Sequence, residues 1–217
     1  MTLPRFAILD MDGTLIDSTG MWEGVTARVL AKYGKTFPPE DRIRTVTLTI
    51  DGTAAFFVRE YGLPATPQTV AGEIRAEASR GYAAEVVARP GVTEALDAMA
   101  ARGMTLCVAS GTEKPLVDAA LRHLGLLDRF AFTLGCTNAL GKEEPEVYLL
   151  AMKTFGAAAP RDVAVFEDAY PALRTAKAAG FYTVGVRDSY QSESWPAICA
   201  IADELCADWK TWAKQVQ

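Results

Sequence analysis

Two aspartates that directly follow a short apolar run are the residues of this sequence best suited to chemistry. The run Phe6–Leu9 has the length and composition of a buried strand, and Asp10 and Asp12 follow it in the segment DMDGT. Because side chains alternate along an extended chain, both carboxylates are expected to face the same side. Such a pair can hold a hard cation, or one carboxylate can attack as a nucleophile while the other transfers protons. An acidic turn without chemistry is the simpler alternative.

Further polar residues stand where other apolar runs end. Ser110 and the pair Glu167-Asp168 each follow such a run, and Lys142 lies in a polar segment between them. Taken singly, Ser110 is typical of a turn or a helix cap, Glu167-Asp168 of a helix N-cap, and Lys142 of a solvated surface. In a parallel sheet, however, the carboxyl ends of the strands meet at one edge. These side chains are therefore expected to converge on the two aspartates.

Several other kinds of site are excluded by residue type and spacing. An EF-hand loop starting at Asp10 needs glycine at position six and glutamate at position twelve, where this sequence has Leu15 and Met21. No P-loop pattern is present, and the single histidine, His123, excludes zincin motifs. The cysteines lack C-x-x-C spacing and are expected to be reduced core thiols; they are Cys107, Cys136, Cys199 and Cys206.

The elements that would position these residues follow from hydrophobic patterning. Apolar runs of strand length alternate with helical patterns, which predicts a doubly wound, Rossmann-like parallel α/β sheet. The predicted strands are Phe6–Leu9, Thr105–Ala109, Phe130–Leu134, Val163–Phe166, Tyr182–Val186 and Glu204–Cys206. The predicted helices between and after them are Val92–Arg102, Pro115–Leu124, Glu144–Phe155, Pro171–Ala179, Ser194–Ala202 and Trp209–Gln215.

About seventy residues after the first strand interrupt this alternation. They contain helical patterns near Gly20–Tyr33, Thr53–Tyr61 and Thr69–Val87 without a clear buried strand, and Pro90-Gly91 marks the return to the sheet. The sequence therefore predicts an α/β core of residues 1–16 and 88–217, with an inserted helical domain of residues 17–87.

Four segments in this order resemble the signatures of the haloacid dehalogenase-like phosphatases. They are Asp10–Thr14 (DMDGT), Ser110 after its strand, Lys142 before EEPEVY, and Glu167-Asp168 before an alanine-rich helix closing in Ala-Ala-Gly. The match spans nearly the whole chain and includes the insert, which looks like the helical cap of the β-phosphoglucomutase and phosphoglycolate phosphatase branch. One position departs from the pattern, because Glu143 replaces the proline that usually follows the lysine.

The resemblance implies roles for the residues in these segments. Asp10 would be the nucleophile and Asp12 the general acid and then the general base. Ser110, Gly111 and Lys142 would bind the substrate phosphate. A Mg²⁺ ion would be held by Asp10, by the backbone carbonyl of Asp12 and by Asp168, with Glu167 acting behind these ligands or through water.

The resemblance also bears on the insert and on the reaction. The insert would close over the core. Asp17 and Ser18 are expected to cap its first helix, with contact to the substrate as the alternative, and Met21 and Trp22 are expected to pack in it or shape the pocket. Three arginines, Arg42, Arg44 and Arg59, are either solvated or grip the substrate. Residues 17–22 lack the histidine of the phosphomutase branch, which favours a phosphatase over a phosphomutase, and a non-catalytic binding protein of the same fold is a remote alternative.

Composition limits the partners of this chain. With 22 Lys and Arg against 27 Asp and Glu, its formal net charge is −5, which argues against electrostatic nucleic-acid binding. No apolar run approaches the roughly 18 residues that a membrane span needs. We expect a cytoplasmic protein, monomeric or weakly homodimeric, that acts on a small phosphorylated metabolite.

Overall fold

A parallel sheet forms the centre of the computed structural model, which describes residues 3–45, 48–137, 141–190 and 192–216. Within these ranges six strands pair in the order β5-β4-β1-β6-β7-β8, each parallel to its neighbours. The strands are β1 (Phe6–Leu9), β4 (Thr105–Ser110), β5 (Phe132–Gly135), β6 (Val163–Glu167), β7 (Tyr182–Val186) and β8 (Glu204–Cys206). This order places β1 between β4 and β6. Asp10, which follows β1, and Ser110, which ends β4, therefore lie at the ends of adjacent strands.

Helices cover both faces of this sheet. They are α5 (Val92–Ala101), α6 (Lys114–His123), α7 (Glu146–Phe155), α8 (Tyr170–Ala178), α9 (Trp195–Ile201) and α10 (Trp209–Val216). Alternate residues of one strand enter different cores, since Ala7 and Leu9 pack in one apolar cluster and Ile8 in the other. Burial on both faces explains why the central strands are continuous apolar runs. The predicted doubly wound α/β fold is confirmed.

Four further helices lie between the two-residue strands β2 (Ile16–Asp17) and β3 (Val87–Ala88), within the described part of the chain. They are α1 (Thr19–Ala31), α2 (Pro39–Thr45), α3 (Ile50–Tyr61) and α4 (Pro67–Ala84). The two short strands pair antiparallel, so the chain leaves and re-enters the core at one place. The insert is therefore helical, as expected, and is joined to the core by a two-strand neck.

Differences from the sequence-based elements have local causes. The neck strands were not predicted because two residues are too few to show the alternation of apolar and polar side chains. Helix α4 ends at Ala84 rather than Val87 because Val87 enters β3. Helix α2 was missed because its sequence, PEDRIRT, has almost no apolar residues. The fifth strand begins at Phe132, since Phe130 follows a 3₁₀ turn at Leu127–Arg129.

Cysteines and membrane-spanning potential bear on two further expectations. Among the described residues no cysteine is in a disulfide; Cys107, Cys136 and Cys206 are buried, but Cys199 lies exposed on α9 and is not a core thiol. None of the helices in the described ranges combines the length and apolar character needed to cross a membrane.

Candidate active site

The loop after β1 is fixed by bonds to distant parts of the chain. The backbone N–H of Gly13 donates to the Ile16 carbonyl at 2.9 Å, which closes a tight turn. Arg89, just after the neck, donates to the Gly13 carbonyl. The indole N–H of Trp209, on α10, donates to the Thr14 carbonyl at 2.9 Å. These bonds hold the two aspartates at the carboxyl edge of the sheet.

Lys142 lies at the centre of the polar cluster. Its ammonium donates to Asp10 Oδ1 and, at 2.5 Å, to Glu167 Oε1. Tyr148 on α7 donates to the same Glu167 oxygen at 2.7 Å. The Lys142 side chain is only 6% exposed, so the lysine is a buried cation and not the solvated surface residue of the simpler reading. Such a cation is retained only where carboxylates compensate it.

Three carboxylates converge beside Lys142. Asp10, Glu167 and Asp168 each offer an oxygen, and these oxygens all lie within 4.8 Å of one another. Thr14 donates to Asp168 Oδ1 at 2.9 Å and so orients that side chain. Hard divalent cations prefer such oxygen ligands, and one lysine cannot balance three buried negative charges. The donor set therefore fits a divalent metal ion, with Glu167 inside the cluster rather than only behind it.

Burial controls the ionisation of this cluster. Desolvation raises the pKa of Asp10 to about 7, with Lys142 opposing the rise and Glu167 adding to it. Desolvation also raises the pKa of Asp168, and the charges of Asp10, Glu167 and Asp188 raise it further. Desolvation lowers the pKa of Lys142, but the two neighbouring carboxylates outweigh it and hold the pKa above its ordinary value. The lysine is thus charged, and the carboxylates need more positive charge than it supplies.

The Asp12 carboxylate points to a different set of partners. Its Oδ2 accepts from Thr112 at 3.0 Å and from Ser110 at 3.4 Å, and its Oδ1 accepts from Tyr82 of the insert at 2.7 Å. Burial raises the pKa of Asp12, the charge of Asp10 adds to this, and the hydrogen bonds from Tyr82, Ser18 and Thr112 oppose it. The carboxylate is outside the three-acid cluster, so the predicted metal contact through the Asp12 carbonyl stays a prediction.

Ser18 shows that one local expectation was wrong. It stands at the N-cap position of α1, but its side chain makes no capping bond there. Instead Ser18 is 1% exposed and lies beside Asp12, where it opposes the rise in the pKa of that carboxylate, while Asp17 is exposed in β2. The side chain that was expected to cap the first insert helix therefore belongs to the site.

A cavity of about 180 Å³ lies over these groups. Its core side includes Asp10, Asp12, Ser110, Gly111 and Lys142, which brings the predicted catalytic and phosphate-binding residues to one space. The insert contributes both apolar and polar side chains, among them Trp22, Glu23, Thr26, Phe37, Leu48, Ile50 and Thr53. A cavity of this size, with an apolar wall and a few converging polar groups, suits a small molecule.

The three arginines singled out in the insert have different positions. Arg44 pairs with Asp41 at 3.0 Å, and Arg59 pairs with Glu60 at 2.7 Å. Neither lines the cavity, so neither grips a substrate there in this conformation. The side chain of Arg42 lies outside the described residues. Met21 is buried in the insert, whereas Trp22 lines the cavity.

Sequence reasoning missed several contacts in the site. Tyr82 was seen only as part of a helical pattern and Tyr148 only as the end of the EEPEVY segment, and the Thr112 hydroxyl was not singled out. The insert is also tied to the core by Arg75, whose Nε donates to Glu113 at 2.7 Å. A fully buried tyrosine needs a hydrogen-bond partner, which is the one signal that could have drawn attention to Tyr82.

Comparison with known proteins agrees with this geometry. Residues 5–180 match the model of the haloacid dehalogenase-like hydrolase family. The chain belongs to this family. A relative within it is the probable pseudouridine-5'-phosphatase of Drosophila melanogaster, 29% identical over 198 residues, which cover 86% of this chain and 83% of the relative.

Solved structures share the fold of this hydrolase. CbbY from Rhodobacter sphaeroides, crystallised with xylulose-(1,5)bisphosphate, has a TM-score of 0.82 at 24% identity and covers 96% of each chain. A putative β-phosphoglucomutase from Thermotoga maritima has a TM-score of 0.69 at 24% identity and covers 98% of this chain and 100% of its own. Phosphatases and phosphomutases thus both occur among the similar proteins of this branch.

Proposed function

We propose that this hydrolase is a phosphatase that cleaves a small phosphomonoester through a phosphorylated Asp10. The observation that carries the proposal is the placement of Asp10 at the cavity, in contact with the Lys142 ammonium and in one cluster with the Asp168 and Glu167 carboxylates, while Asp12 lines the same cavity. A nucleophile, an acid and a cation are what transfer of an anionic phosphoryl group requires.

Phosphate binding falls to Lys142, Ser110 and Gly111 in this proposal. Lys142 supplies a charged donor that is already desolvated, and Ser110 supplies a hydroxyl at the end of β4. The backbone N–H of Gly111 adds a neutral donor, whereas that of Thr112 donates to Ser110 Oγ at 3.0 Å and so orients the hydroxyl. Preorganised donors of this kind stabilise developing charge without reorganising during the reaction.

The first chemical step forms the bond between an Asp10 oxygen and phosphorus. The bond between phosphorus and the ester oxygen breaks, and its electron pair leaves with that oxygen. Asp12 gives its proton to the departing oxygen, so the organic product leaves as a neutral alcohol. The balance of this step is one aspartyl-phosphate, one alcohol and one Asp12 carboxylate.

The second step regenerates the enzyme. Asp12, now a carboxylate, takes a proton from a water molecule as the water oxygen bonds to phosphorus. The bond between phosphorus and Asp10 breaks, and its electrons return to the Asp10 carboxylate. Inorganic phosphate leaves, and Asp12 is again protonated for the next turnover.

A Mg²⁺ ion fits the acidic cluster in this proposal. Asp10 and Asp168 would hold it directly, Glu167 directly or through water, and Asp12 through its backbone carbonyl. When bound, the ion would supply the positive charge that lets an anionic nucleophile approach an anionic ester. Lys142 would keep the same role on the phosphoryl oxygens and on Asp10.

We further propose that residues 17–87 act as a cap over a core made of residues 1–16 and 88–217. The two-strand neck at Ile16–Asp17 and Val87–Ala88 offers a hinge, and insert side chains form one wall of the cavity. Closure of such a cap excludes water from the reaction. The cap would thereby recognise the organic half of the substrate, while the core recognises phosphate.

Release of inorganic phosphate from a panel of small phosphomonoesters tests this function. Sugar phosphates, glycerol phosphate, phosphoglycolate and nucleoside monophosphates, each with Mg²⁺, should include at least one good substrate, and excess chelator should abolish its turnover. Asp10→Asn should be inactive. Turnover in excess chelator would contradict the metal assignment, and conversion of a glucose phosphate without phosphate release would indicate a phosphomutase.

A covalent test of the nucleophile uses beryllofluoride, a mimic of a phosphoryl group. It should attach to an Asp10 oxygen in a crystal structure. Attachment to Asp12 would exchange the roles of the two aspartates.

A further inference from the structure

A tyrosine of the cap reaches the acid/base carboxylate. The Tyr82 hydroxyl, near the end of α4, donates to Asp12 Oδ1 at 2.7 Å, although the residues are 70 positions apart. Tyr82 is fully buried and does not line the cavity. In this conformation its hydroxyl reaches Asp12 and not the cavity, so an effect on the reaction would act through Asp12.

The indole of Trp22 fixes the direction of this hydrogen bond. Trp22 Nε1 donates to the Tyr82 oxygen at 2.9 Å, and the two rings meet edge to face with centroids 6.0 Å apart. An indole N–H is a donor only, so the Tyr82 oxygen is the acceptor in that contact. The Tyr82 proton is then available for Asp12, which is nearer than Thr112 Oγ1 at 3.1 Å.

The core holds the other Asp12 oxygen. Thr112 donates to Oδ2 at 3.0 Å, so each carboxylate oxygen has a donor from a different part of the molecule. The insert supplies the donor to Oδ1, and the loop after β4 supplies the donor to Oδ2. Ser110 also donates to Oδ2, at 3.4 Å, so loss of the Tyr82 hydroxyl would leave the carboxylate held through Oδ2 and freer to rotate about its last bond.

We infer that Tyr82 is a positioning residue that orients Asp12 to protonate the leaving group when the cap is closed. Trp22 lines the cavity and holds Tyr82, so contact of the substrate's organic half with Trp22 is passed to Asp12 through two hydrogen bonds. The inference rests on the proposed function, since it assumes that Asp12 is the general acid. It adds that recognition by the cap and proton transfer in the core share one hydrogen-bonded chain.

Leaving-group dependence separates this role from a purely structural one. An alkyl phosphate needs a proton on its departing oxygen, whereas p-nitrophenyl phosphate releases a stable anion and needs little general-acid help. For Tyr82→Phe, kcat/KM should fall by about 10–100-fold with the alkyl ester and by less than about 3-fold with the aryl ester. Asp12→Asn should show the same asymmetry more strongly.

Matched variants control for folding and for the chain of contacts. Tyr61→Phe removes another cap tyrosine hydroxyl, which donates to Asp41 at 2.5 Å; neither residue lines the cavity. This variant should keep kcat/KM for both esters within about 2-fold of wild type. Trp22→Phe, like Tyr82→Phe, should reduce the ratio of kcat/KM for the alkyl ester to kcat/KM for the aryl ester. The double variant should be no worse in this ratio than Tyr82→Phe alone.

The outcomes distinguish the two proposals. The positioning role would be overturned if kcat/KM of a folded Tyr82→Phe protein fell equally with both esters, or fell with neither. Multiplicative effects of Trp22→Phe and Tyr82→Phe on the ratio would overturn the chain through Trp22. A wild-type protein that releases phosphate from no ester would instead overturn the proposed function itself.

Discussion

Gly13 is the position where a single methyl group should damage the site most specifically. Its φ is +84°, and a Cβ built there would lie 2.4 Å from Asp168 Oδ2 and 2.9 Å from Asp168 Cγ. Asp168 is buried and held by Thr14. The Gly13→Ala variant must therefore adopt a strained backbone and also displace a carboxylate of the proposed metal site.

The two effects have different magnitudes and readouts. A left-handed conformation costs a non-glycine residue roughly 1–2 kcal/mol, and overpacking in a closed site costs about 1–3 kcal/mol, so we expect a loss of stability of about 2–5 kcal/mol. To reach ordinary contact at 3.4 Å from 2.4 Å, Asp168 must move by about 1 Å. A displacement of this size in a catalytic group can reduce kcat by about 100-fold.

Gly103→Ala provides the matched control. Gly103 also has a left-handed φ, +71°, but a Cβ there would meet nothing within 4 Å. This variant should lose about 1–2 kcal/mol of stability from strain alone and keep wild-type turnover.

Urea unfolding measures the loss of stability of the two variants. Steady-state phosphate release, recorded across a Mg²⁺ titration and below the unfolding transition, measures the loss of turnover. Gly13→Ala should require more Mg²⁺ and turn over more slowly. If Gly13→Ala retains turnover within about 3-fold of wild type, or if Gly103→Ala loses as much activity, then displacement of Asp168 is not the cause.

Two other predictions test the lysine loop and the far edge of the sheet. Lys142→Ala should reduce kcat by at least about 100-fold, because it removes the buried cation at Asp10. Glu143→Pro should change kcat/KM by less than about 10-fold, because Glu143 is exposed. An active Lys142→Ala enzyme, or a large gain in kcat/KM for Glu143→Pro, would show that the loop acts differently. Burial alone would raise the pKa of Asp203, but Lys177, Thr183 and Arg161 hold it below the ordinary value. The carboxylate thus stabilises the fold above its unfolded pKa of about 3.9, and this contribution is lost as the pH falls below that value. Asp203→Asn should lower the Tm at pH 7 by roughly 2–4 °C, or about 1 kcal/mol, and a deficit that persists unchanged at pH 3 would refute the linkage.

The strands of the core could be predicted because each is buried on both faces. Phe6–Leu9 and Tyr182–Val186 were located with their observed bounds, since continuous apolar runs bounded by polar residues leave little choice of register. Helix α2 and the neck strands could not be located in this way. A seven-residue helix with almost no apolar period, and strands of two residues, owe their structure to neighbours that a local pattern does not contain.

The candidate site divides along the same line. Asp10, Ser110 and Glu167 were predicted to converge because a parallel sheet brings the ends of its strands to one edge, and their place at one cavity follows from topology alone. Lys142 was included in this expectation, but its segment is a 3₁₀ turn outside the sheet, so the strand ends do not place it and only the resemblance to the family gives it a role. Topology therefore accounts for the strand-end groups, and the family pattern accounts for the lysine.

Contacts between the cap and the core required the structure. A periodic pattern shows that Tyr82 faces the interior of its helix bundle, and a buried hydroxyl must have a partner, but neither fact says that the partner is Asp12. The same holds for Trp209, whose indole reaches the Thr14 carbonyl from 195 positions away. Burial is encoded locally by residue type, whereas pairing depends on how separate elements pack. Tyr82 and Trp22, the cap residues proposed to orient Asp12, therefore lie where single-sequence reasoning stops, on helices whose visible pattern is only that of a core.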